Sequence, residues 1–244
     1  KYRRKITDKQ EIRFGPTFES IKVTQNLDKF VTTETAGLTE DDFKTHPILG
    51  FETTYQTSEK DPFTFHRRKF RFRFGSHFTY NFRDETALLK LNASTSIIRE
   101  ILFPDFVWAS RAGVTANIGS YRFFQANTIG DTGVFFRSNS GFFDTANFRG
   151  MARDRFSGRT SMYHNTEFRY KLFQVDSYVL PGEFGILTLF DHGRVWTSGE
   201  NSRVWHYAFG GGIWYNFFNS LVISATLAKS DVDTNASLLL GFMF

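Results

Sequence analysis

The sequence predicts an all-β fold, an antiparallel transmembrane β-barrel, from three observations. Aromatic and polar residues alternate through residues 69–83, and similar alternation recurs along the chain between clusters of Gly, Pro, Asp, Asn and Ser. The 244 residues include 31 Phe, 9 Tyr and 4 Trp, yet the mean hydropathy is negative. The sequence contains no window of roughly 18 consecutive apolar residues, which excludes a helical span. A barrel explains these properties because its strands divide apolar and polar side chains between lipid and lumen.

The clearest predicted strand lies at residues 69–83, where successive side chains point to opposite faces. One face carries six rings, those of Phe70, Phe72, Phe74, Phe78, Tyr80 and Phe82. The other face carries polar residues, namely Lys69, Arg71, Arg73, His77, Thr79, Asn81 and Arg83. Soluble strands usually have ~5–6 residues, whereas a tilted strand needs about 9–11 to cross a hydrocarbon layer. The length of this segment therefore favours a membrane-spanning strand.

Ten segments show this alternation and are predicted as strands. They are approximately residues 11–24, 47–57, 67–83, 86–98, 106–119, 160–172, 183–196, 204–217, 221–229 and 236–244. A long stretch rich in Gly, Asn, Asp, Ser and Arg, residues 120–159, separates the first five segments from the last five. A structureless loop of such length in a compact domain is usually functional.

Parity also predicts where charged residues of two neighbouring strands point. In 160–172 and 183–196 the apolar residues define a lipid side, which leaves the carboxylates of Glu167 and Asp191, together with Arg169, on the lumen side. A charge that faces lipid at the bilayer midplane costs ~2–4 kcal/mol for Arg or Lys and less for Asp or Glu. The lumen orientation of these residues is therefore favoured.

Four short motifs resemble those of the BamA/TamA superfamily of outer-membrane assembly and translocation barrels. Phe148–Met151 looks like the V/L-R-G-F signature of that family, and Tyr163–Arg169 resembles its N-x-E-x-R strand. Phe190–Trp196 resembles its F-x-D-x-G-x-x-W strand, Ala208–Trp214 resembles its glycine-rich strand, and a final aromatic residue follows at Phe244. The motifs occur in family order, although Phe and Met flank the Arg-Gly pair where Val or Leu and Phe are usual.

The resemblance implies a loop that folds back into the lumen and carries Phe148, Arg149, Gly150 and Met151. Arg149 would meet the lumen carboxylates of Glu167 and Asp191, and Gly150 would allow close backbone approach or a positive φ. Removing one partner of this contact would cost about 3–5 kcal/mol if the contact is desolvated, but only ~0.2–1 kcal/mol if it is exposed to water. We expect the cost of removing one partner to lie between these two limits.

The resemblance further implies insertion or translocation of proteins at the outer membrane of a Gram-negative bacterium, with no chemical catalysis, no cofactor and no metal. The seam between the first and last strands would open and offer unpaired backbone groups to an incoming strand. On its C-terminal side the seam comprises Leu238, Leu240, Gly241, Phe242 and Phe244. The implied partners are outer-membrane lipid and lipopolysaccharide, unfolded outer-membrane or secreted proteins, and accessory envelope proteins.

We expect residues 1–244 to form a single barrel domain. Family barrels have more strands than the ten predicted here, so the chain is expected to be the C-terminal part of a barrel with a missing N-terminal region, or a smaller even-numbered relative. Two other functions stay open. One is a membrane anchor or secretion pore for an N-terminal hydrolase, patatin-like or metallophosphoesterase, and the other is a diffusion porin.

Enzyme and nucleic-acid functions are disfavoured by the residues present. The sequence contains no G-x-S-x-G nucleophile elbow, and parity places the neighbours His164 and Asn165 on opposite faces. The histidines lack metal-ligand spacing such as H-x-x-x-H, and cysteine is absent, which removes disulfides and thiolate sites. The net charge of +5 comes from 30 basic and 25 acidic residues spread along the chain, so nucleic acid is not an expected partner.

Overall fold

The structure, a computed structural model, describes residues 1–24, 38–60, 69–130, 147–152, 154–197 and 203–242. Eleven strands of this described part form one antiparallel sheet. They are β1 (Tyr2–Thr7), β2 (Gln10–Ile21), β3 (His46–Lys60), β4 (Lys69–Asn81), β5 (Thr86–Glu100), β6 (Phe106–Gly119), β9 (Thr160–Val175), β10 (Gly182–Trp196), β11 (His206–Phe217), β12 (Leu221–Ser230) and β13 (Thr234–Leu240). A separate two-stranded sheet pairs β7 (Asn127–Ile129) with β8 (Phe156–Gly158).

Within the described residues, two short 3-10 helices complete the regular structure, η1 (Glu40–Phe43) and η2 (Phe123–Gln125). Between residues 1 and 242, within the ranges given above, no helix is long and apolar enough to cross a membrane.

The main sheet follows the order of the chain, with β6 beside β9 because β7 and β8 form their own sheet. Each of the ten sequence-predicted segments overlaps one strand of this sheet, which confirms the all-β, antiparallel prediction. β1 is an additional strand that the sequence does not predict, since Arg3, Arg4 and Lys5 interrupt any alternation.

The predicted loop at 120–159 is not structureless, because it contains η2, β7 and β8. Each of these elements has only three residues, too few for a periodic pattern to reveal it. Other predicted positions lie outside the described residues: 67–68 of one strand, 131–146 and 153 of the loop, and 243–244 of the last strand, which include Phe244.

β1 and β13 are the two edge strands of the sheet. Within the described residues, no pairing joins these two strands to each other. Closure of the sheet into a barrel therefore stays a prediction.

The two faces of the sheet carry polar and apolar residues in the reverse of the usual order. On β9, Asn165, Glu167 and Arg169 are at most 2% exposed, whereas Phe168 between them is 40% exposed. On β10, Asp191 is fully buried, and the preceding residue on the other face, Phe190, is exposed. We call the face that carries Glu167 and Asp191 the inner face, and the opposite face the outer face.

The same alternation is present on β4, the strand with the clearest pattern in the sequence. His77, Thr79 and Asn81 are buried on the inner face, while Phe74 and Phe78 are exposed on the outer face. Toward the beginning of β4 the residues of both faces are half-buried. The parity predicted from the sequence therefore holds in the structure, and it is sharpest in the second half of this strand.

The connection between β6 and β9 (residues 120–159) leaves and rejoins the sheet at the same end of its strands. η1 and the turn between β4 and β5 lie at this same end of the strands, because β3 begins and β4 ends there. The residues 147–151 of this connection lie against the inner face of β9 and β10, where Arg149 is only 1% exposed. The fold thereby brings the loop motif to the buried polar face.

Candidate functional site

Two carboxylates on neighbouring strands form the floor of the candidate site. The register of β9 and β10 pairs Asn165 with Asp191 and Glu167 with Leu189. Glu167 and Asp191 are therefore diagonal neighbours on the inner face, a relation that separates the backbones by about 7–8 Å. A planar guanidinium with donors on several sides can bridge two carboxylates at this spacing.

Arg149 occupies the space between these carboxylates. Its Nε donates to Oδ2 of Asp191 at 2.8 Å and its Nη2 donates to Oδ1 at 2.6 Å, which makes a bidentate contact. Its Nη1 donates to Oε1 of Glu167, and its backbone N–H donates to Oδ2 of Asp191 at 3.0 Å. The three side chains are at most 2% exposed. The structure thus brings together the arginine and both carboxylates that the sequence singles out, in a buried contact.

A second arginine balances the charge of this cluster. Arg169 donates to Oε2 of Glu167 through Nε at 2.7 Å and through Nη2 at 2.5 Å. Its side chain is 2% exposed. Arg149 and Arg169 together offset the charges of Glu167 and Asp191, as the cost of burying unpaired charges requires. We call these four residues the inner cluster. Parity alone indicates the face of Arg169 but not its role in the cluster.

Asparagine side chains hold the loop backbone beside the cluster. Nδ2 of Asn165 donates to the carbonyl oxygen of Asn147 at 3.0 Å, and Arg111 on β6 donates to Oδ1 of Asn165 at 3.1 and 3.0 Å. Nδ2 of Asn147 donates to the carbonyl oxygen of Thr128 at 2.9 Å, and its Oδ1 accepts from the N–H of Gly130 at 3.1 Å. β6, β7 and β9 therefore all contribute to the position of this loop segment.

The residues that flank the Arg-Gly pair are packed apolar side chains. Phe148 and Met151 are fully buried and form one cluster with Ile129 and Ala208. Gly193 on β10 leaves room for this cluster, because a Cβ built there would lie 3.3 Å from Cδ2 of Phe148. Phe148 and Met151, which differ from the residues usual in the resembled family, therefore anchor the loop by burial.

Gly150 approaches the backbone at the end of β12. Its φ is +79°, and a Cβ built on it would lie 3.1 Å from the backbone N of Ser230 and 3.2 Å from the carbonyl of Ala228. Its own carbonyl oxygen accepts a hydrogen bond from Oγ of Ser230 at 2.7 Å. Both the positive φ and the close approach favour glycine at this position.

The residues expected at the C-terminal seam lie on β13 and just beyond it. Leu238 is half-buried and Leu240 is exposed, both on the outer face. Gly241 follows with a φ of +99°, and Phe244 lies outside the described residues. Continued alternation would place Phe242 on the outer face, but the positive φ of Gly241 interrupts it. Phe242 instead packs against a buried apolar cluster on the inner face.

A second charge cluster joins three connections at one end of the strands. Arg122, which follows β6, donates to Asp84 through Nε at 2.8 Å and through Nη2 at 2.6 Å. Its Nη1 donates to Oδ1 of Asp42 at 2.9 Å. Asp84 lies in the turn after β4 and Asp42 lies in η1. Sequence patterns do not reveal this cluster because the three residues are far apart in the chain and belong to no shared motif.

Charge pairing shifts the pKa values in this second cluster. The hydrogen bond from Arg122 is the main reason why the pKa of Asp84 is below its ordinary value. Burial opposes the charge of Asp42, but hydrogen bonds from Thr39 and Arg122 outweigh burial and lower the pKa of this carboxyl. Hydrogen bonding to Asp84, followed by the contact with Asp42, raises the pKa of Arg122.

Four of the described histidines take part in local polar contacts, namely His46, His77, His164 and His206. Nε2 of His164 lies 2.8 Å from Oγ of Ser110, and Nδ1 of His206 lies 2.7 Å from a carboxylate oxygen of Asp231. His164 and Asn165 lie on opposite faces of β9, as parity predicts. In the part of the chain with described coordinates, no three His, Asp or Glu side chains are grouped so that they could hold a metal ion.

No family model matches this sequence, and no curated protein matches it either. The resemblance to the BamA/TamA superfamily therefore depends on the four motifs and stays a prediction.

Proposed function

We propose that this chain forms the wall of an antiparallel transmembrane β-barrel in the outer membrane of a Gram-negative bacterium, with residues 120–159 folded into its lumen. The observation that carries this proposal is the inverted distribution of side chains across one sheet. Arg149, Glu167 and Asp191 are buried on the inner face, while the outer face exposes aromatic and aliphatic side chains. Such a sheet is stable when hydrocarbon covers the outer face and the polar face is enclosed.

The composition of the outer face supports contact with lipid. Phe18 is 71% exposed, Phe209 is 62% exposed and Ile213 is 52% exposed. Transfer of each such side chain from water to an apolar surrounding is worth about 1.5–3 kcal/mol, and large exposed apolar patches mark contacts with proteins or membranes.

The lengths of the strands favour a bilayer over a protein partner. β3 to β6 and β9 to β11 contain 12–16 residues each. A tilted strand needs about 9–11 residues to cross the hydrocarbon layer. An apolar face that continues over neighbouring strands of this length matches the extent of a bilayer.

Within this barrel we assign a role of the BamA/TamA type, in which proteins are inserted or translocated without chemical catalysis. Two features support this role. Arg149 is held by carboxylates from the two strands whose sequences resemble the family motifs. β13 is an edge strand, and an edge strand offers backbone groups to which an unfolded outer-membrane protein can add a strand.

Membrane insertion can be tested with two adjacent residues of β6. Val114 is exposed on the outer face and Thr115 is half-buried on the inner face. Because the chain contains no cysteine, Val114→Cys and Thr115→Cys each give a single labelling site. In liposomes, a fluorescent label at position 114 should be quenched by lipids that carry a quencher on the acyl chain, and a label at 115 should be quenched far less. Equal quenching at both positions would contradict the proposed orientation.

The assembly role needs a separate measurement. Liposomes that contain the chain should fold a small outer-membrane barrel protein faster than empty liposomes do. Arg149→Ala should reduce this acceleration, while Arg122→Ala, which alters the same connection away from the inner cluster, should reduce it less. Correct insertion without any acceleration would refute the assembly role, and steady single-channel conductance in that case would favour a diffusion porin.

A further inference from the structure

The end of β13 turns toward the inner face at a single glycine. A Cβ built on Gly241 would meet no atom within 4 Å, so its φ of +99° and not a lack of space favours glycine there. The N–H of Gly241 donates to the carbonyl oxygen of Val222 at 2.7 Å, and its carbonyl oxygen accepts from Oγ of Ser224 at 2.7 Å. β12 therefore holds the turn that directs Phe242 inward.

Phe242 covers one of the two arginines of the inner cluster. Cζ of Arg169 lies 3.7 Å from the centroid of the Phe242 ring, within the range of a cation–π contact. The ring also packs edge-on against Trp214, with centroids 5.7 Å apart. Because Arg169 is buried, the contact with Phe242 lies away from solvent, where such contacts are strongest.

A continuous chain of contacts connects this ring to the loop. Arg169 donates to Oε2 of Glu167, and Arg149 of the loop donates to Oε1 of the same carboxylate. Gly150 also accepts a hydrogen bond from Ser230, the last residue of β12, and the backbone N–H of Ser230 donates to the carbonyl oxygen of Asp233 in the turn before β13. The segment 147–151 is thus linked to the end of β13 through Arg169 and Glu167, and to the turn before β13 through Ser230 of β12.

We propose that the loop segment 147–151 and the edge strand β13 form one coupled unit, in which Phe242 is a positioning residue that acts through Arg169 and Glu167. When the end of β13 separates from β12, the ring leaves Arg169 and the contacts of Arg149 weaken. When Arg149 is released, the end of β13 opens more often. This inference rests on the proposed function insofar as β13 is the strand that substrates would meet, and it adds regulation of that strand by the loop.

Hydrogen exchange of backbone amides in detergent micelles tests the coupling in both directions. Phe242→Leu keeps an apolar side chain but removes the ring, and it should speed exchange in the peptide 147–152 by about tenfold, since a desolvated cation–π contact is lost. Phe242→Tyr retains the ring and should restore slow exchange. Phe209→Leu, the same substitution on the outer face of β11, is the matched control and should leave this peptide unchanged.

The reciprocal experiment measures the amide of Gly241. Arg149→Ala should speed its exchange, Arg149→Lys should do so less, and Arg122→Ala should have no effect because it lies in the second cluster. Unchanged loop exchange in Phe242→Leu, or an equal change in Phe209→Leu, would overturn the coupling. The exchange rates are read without any assembly assay, so loss of coupling and loss of assembly activity remain separate results.

Discussion

The buried contact between Arg149 and Asp191 allows a quantitative prediction by a double-mutant cycle. Arg149→Ala leaves Asp191 without its bidentate partner, and the side chains concerned are 2% and 0% exposed. Breaking a buried ion pair by removal of one partner costs about 3–5 kcal/mol. Two unit charges 4 Å apart attract each other by about 4 kcal/mol at an effective dielectric constant of about 20. Both routes are compatible with a coupling energy of about 4 kcal/mol.

The two single substitutions should not be equivalent. Asp191→Ala removes one of the two acceptors of the Arg149 guanidinium and also the acceptor of the backbone N–H of Arg149. A buried donor left without a partner adds about 1–3 kcal/mol. Asp191→Ala should therefore destabilise the protein more than Arg149→Ala does, although Glu167 still contacts the guanidinium.

The free energy of unfolding can be followed by tryptophan fluorescence in urea, with the four variants of the cycle in the same detergent. The coupling energy is the difference between the double variant and the sum of the single variants. Independent sites add within about 0.3–0.5 kcal/mol. A coupling energy inside that interval would refute the conclusion that Arg149 and Asp191 form a buried charge pair.

Three further outcomes follow from the structure. Glu167→Gln should destabilise the protein by about 3–5 kcal/mol in the same unfolding assay, since the carboxylate serves two buried arginines, and a loss below about 1 kcal/mol would contradict its burial. Gly185→Ala should cost about 1–3 kcal/mol by overpacking, because a Cβ there would lie 2.3 Å from Cζ2 of Trp214, and an unchanged unfolding midpoint would count against this packing. The link between Arg122 and Asp84 should stabilise the connections at pH values above about 3.9, the unfolded aspartate value, and weaken as the pH falls through the lowered folded pKa; limited proteolysis across pH 2–5 should show this change, and Arg122→Ala should abolish it.

The strands could be predicted from the sequence because polar residues of the inner face and apolar residues of the outer face alternate with a period of two. β1 lacks this signal, and its pairing with β2 includes a contact between Arg3 and Glu11 that only the register brings together. The second charge cluster cannot be predicted from the sequence either. Asp42, Asp84 and Arg122 meet only because η1, a turn and a long connection lie together at one end of the strands.

The inner cluster illustrates what parity can and cannot provide. Parity places Glu167 and Asp191 on one face, but it does not identify the cation between them. The resemblance of the loop motif indicates Arg149 for that position. The intermediate cost expected from the sequence assumes partial access of water to the contact. The structure shows the three side chains buried, so the larger cost applies. Phe242 could not be placed by parity, because one positive φ at Gly241 reverses the face.

The buried charges and the exposed rings depend on each other. In water, this sheet would be more stable with its rings covered and its charges solvated. Burial of a ring would stabilise the protein by about 1.5–3 kcal/mol, and each buried ion carries a desolvation cost of several kcal/mol. The cluster around Arg149 offsets the second cost by pairing every charge, but nothing within the described part of the chain covers the outer face. In the proposed membrane-spanning barrel, lipid or detergent supplies that cover. Removal of detergent or lipid should cause aggregation through the outer face before the inner cluster opens, and a monomeric protein that stays folded in plain buffer would show that the outer face is covered in another way.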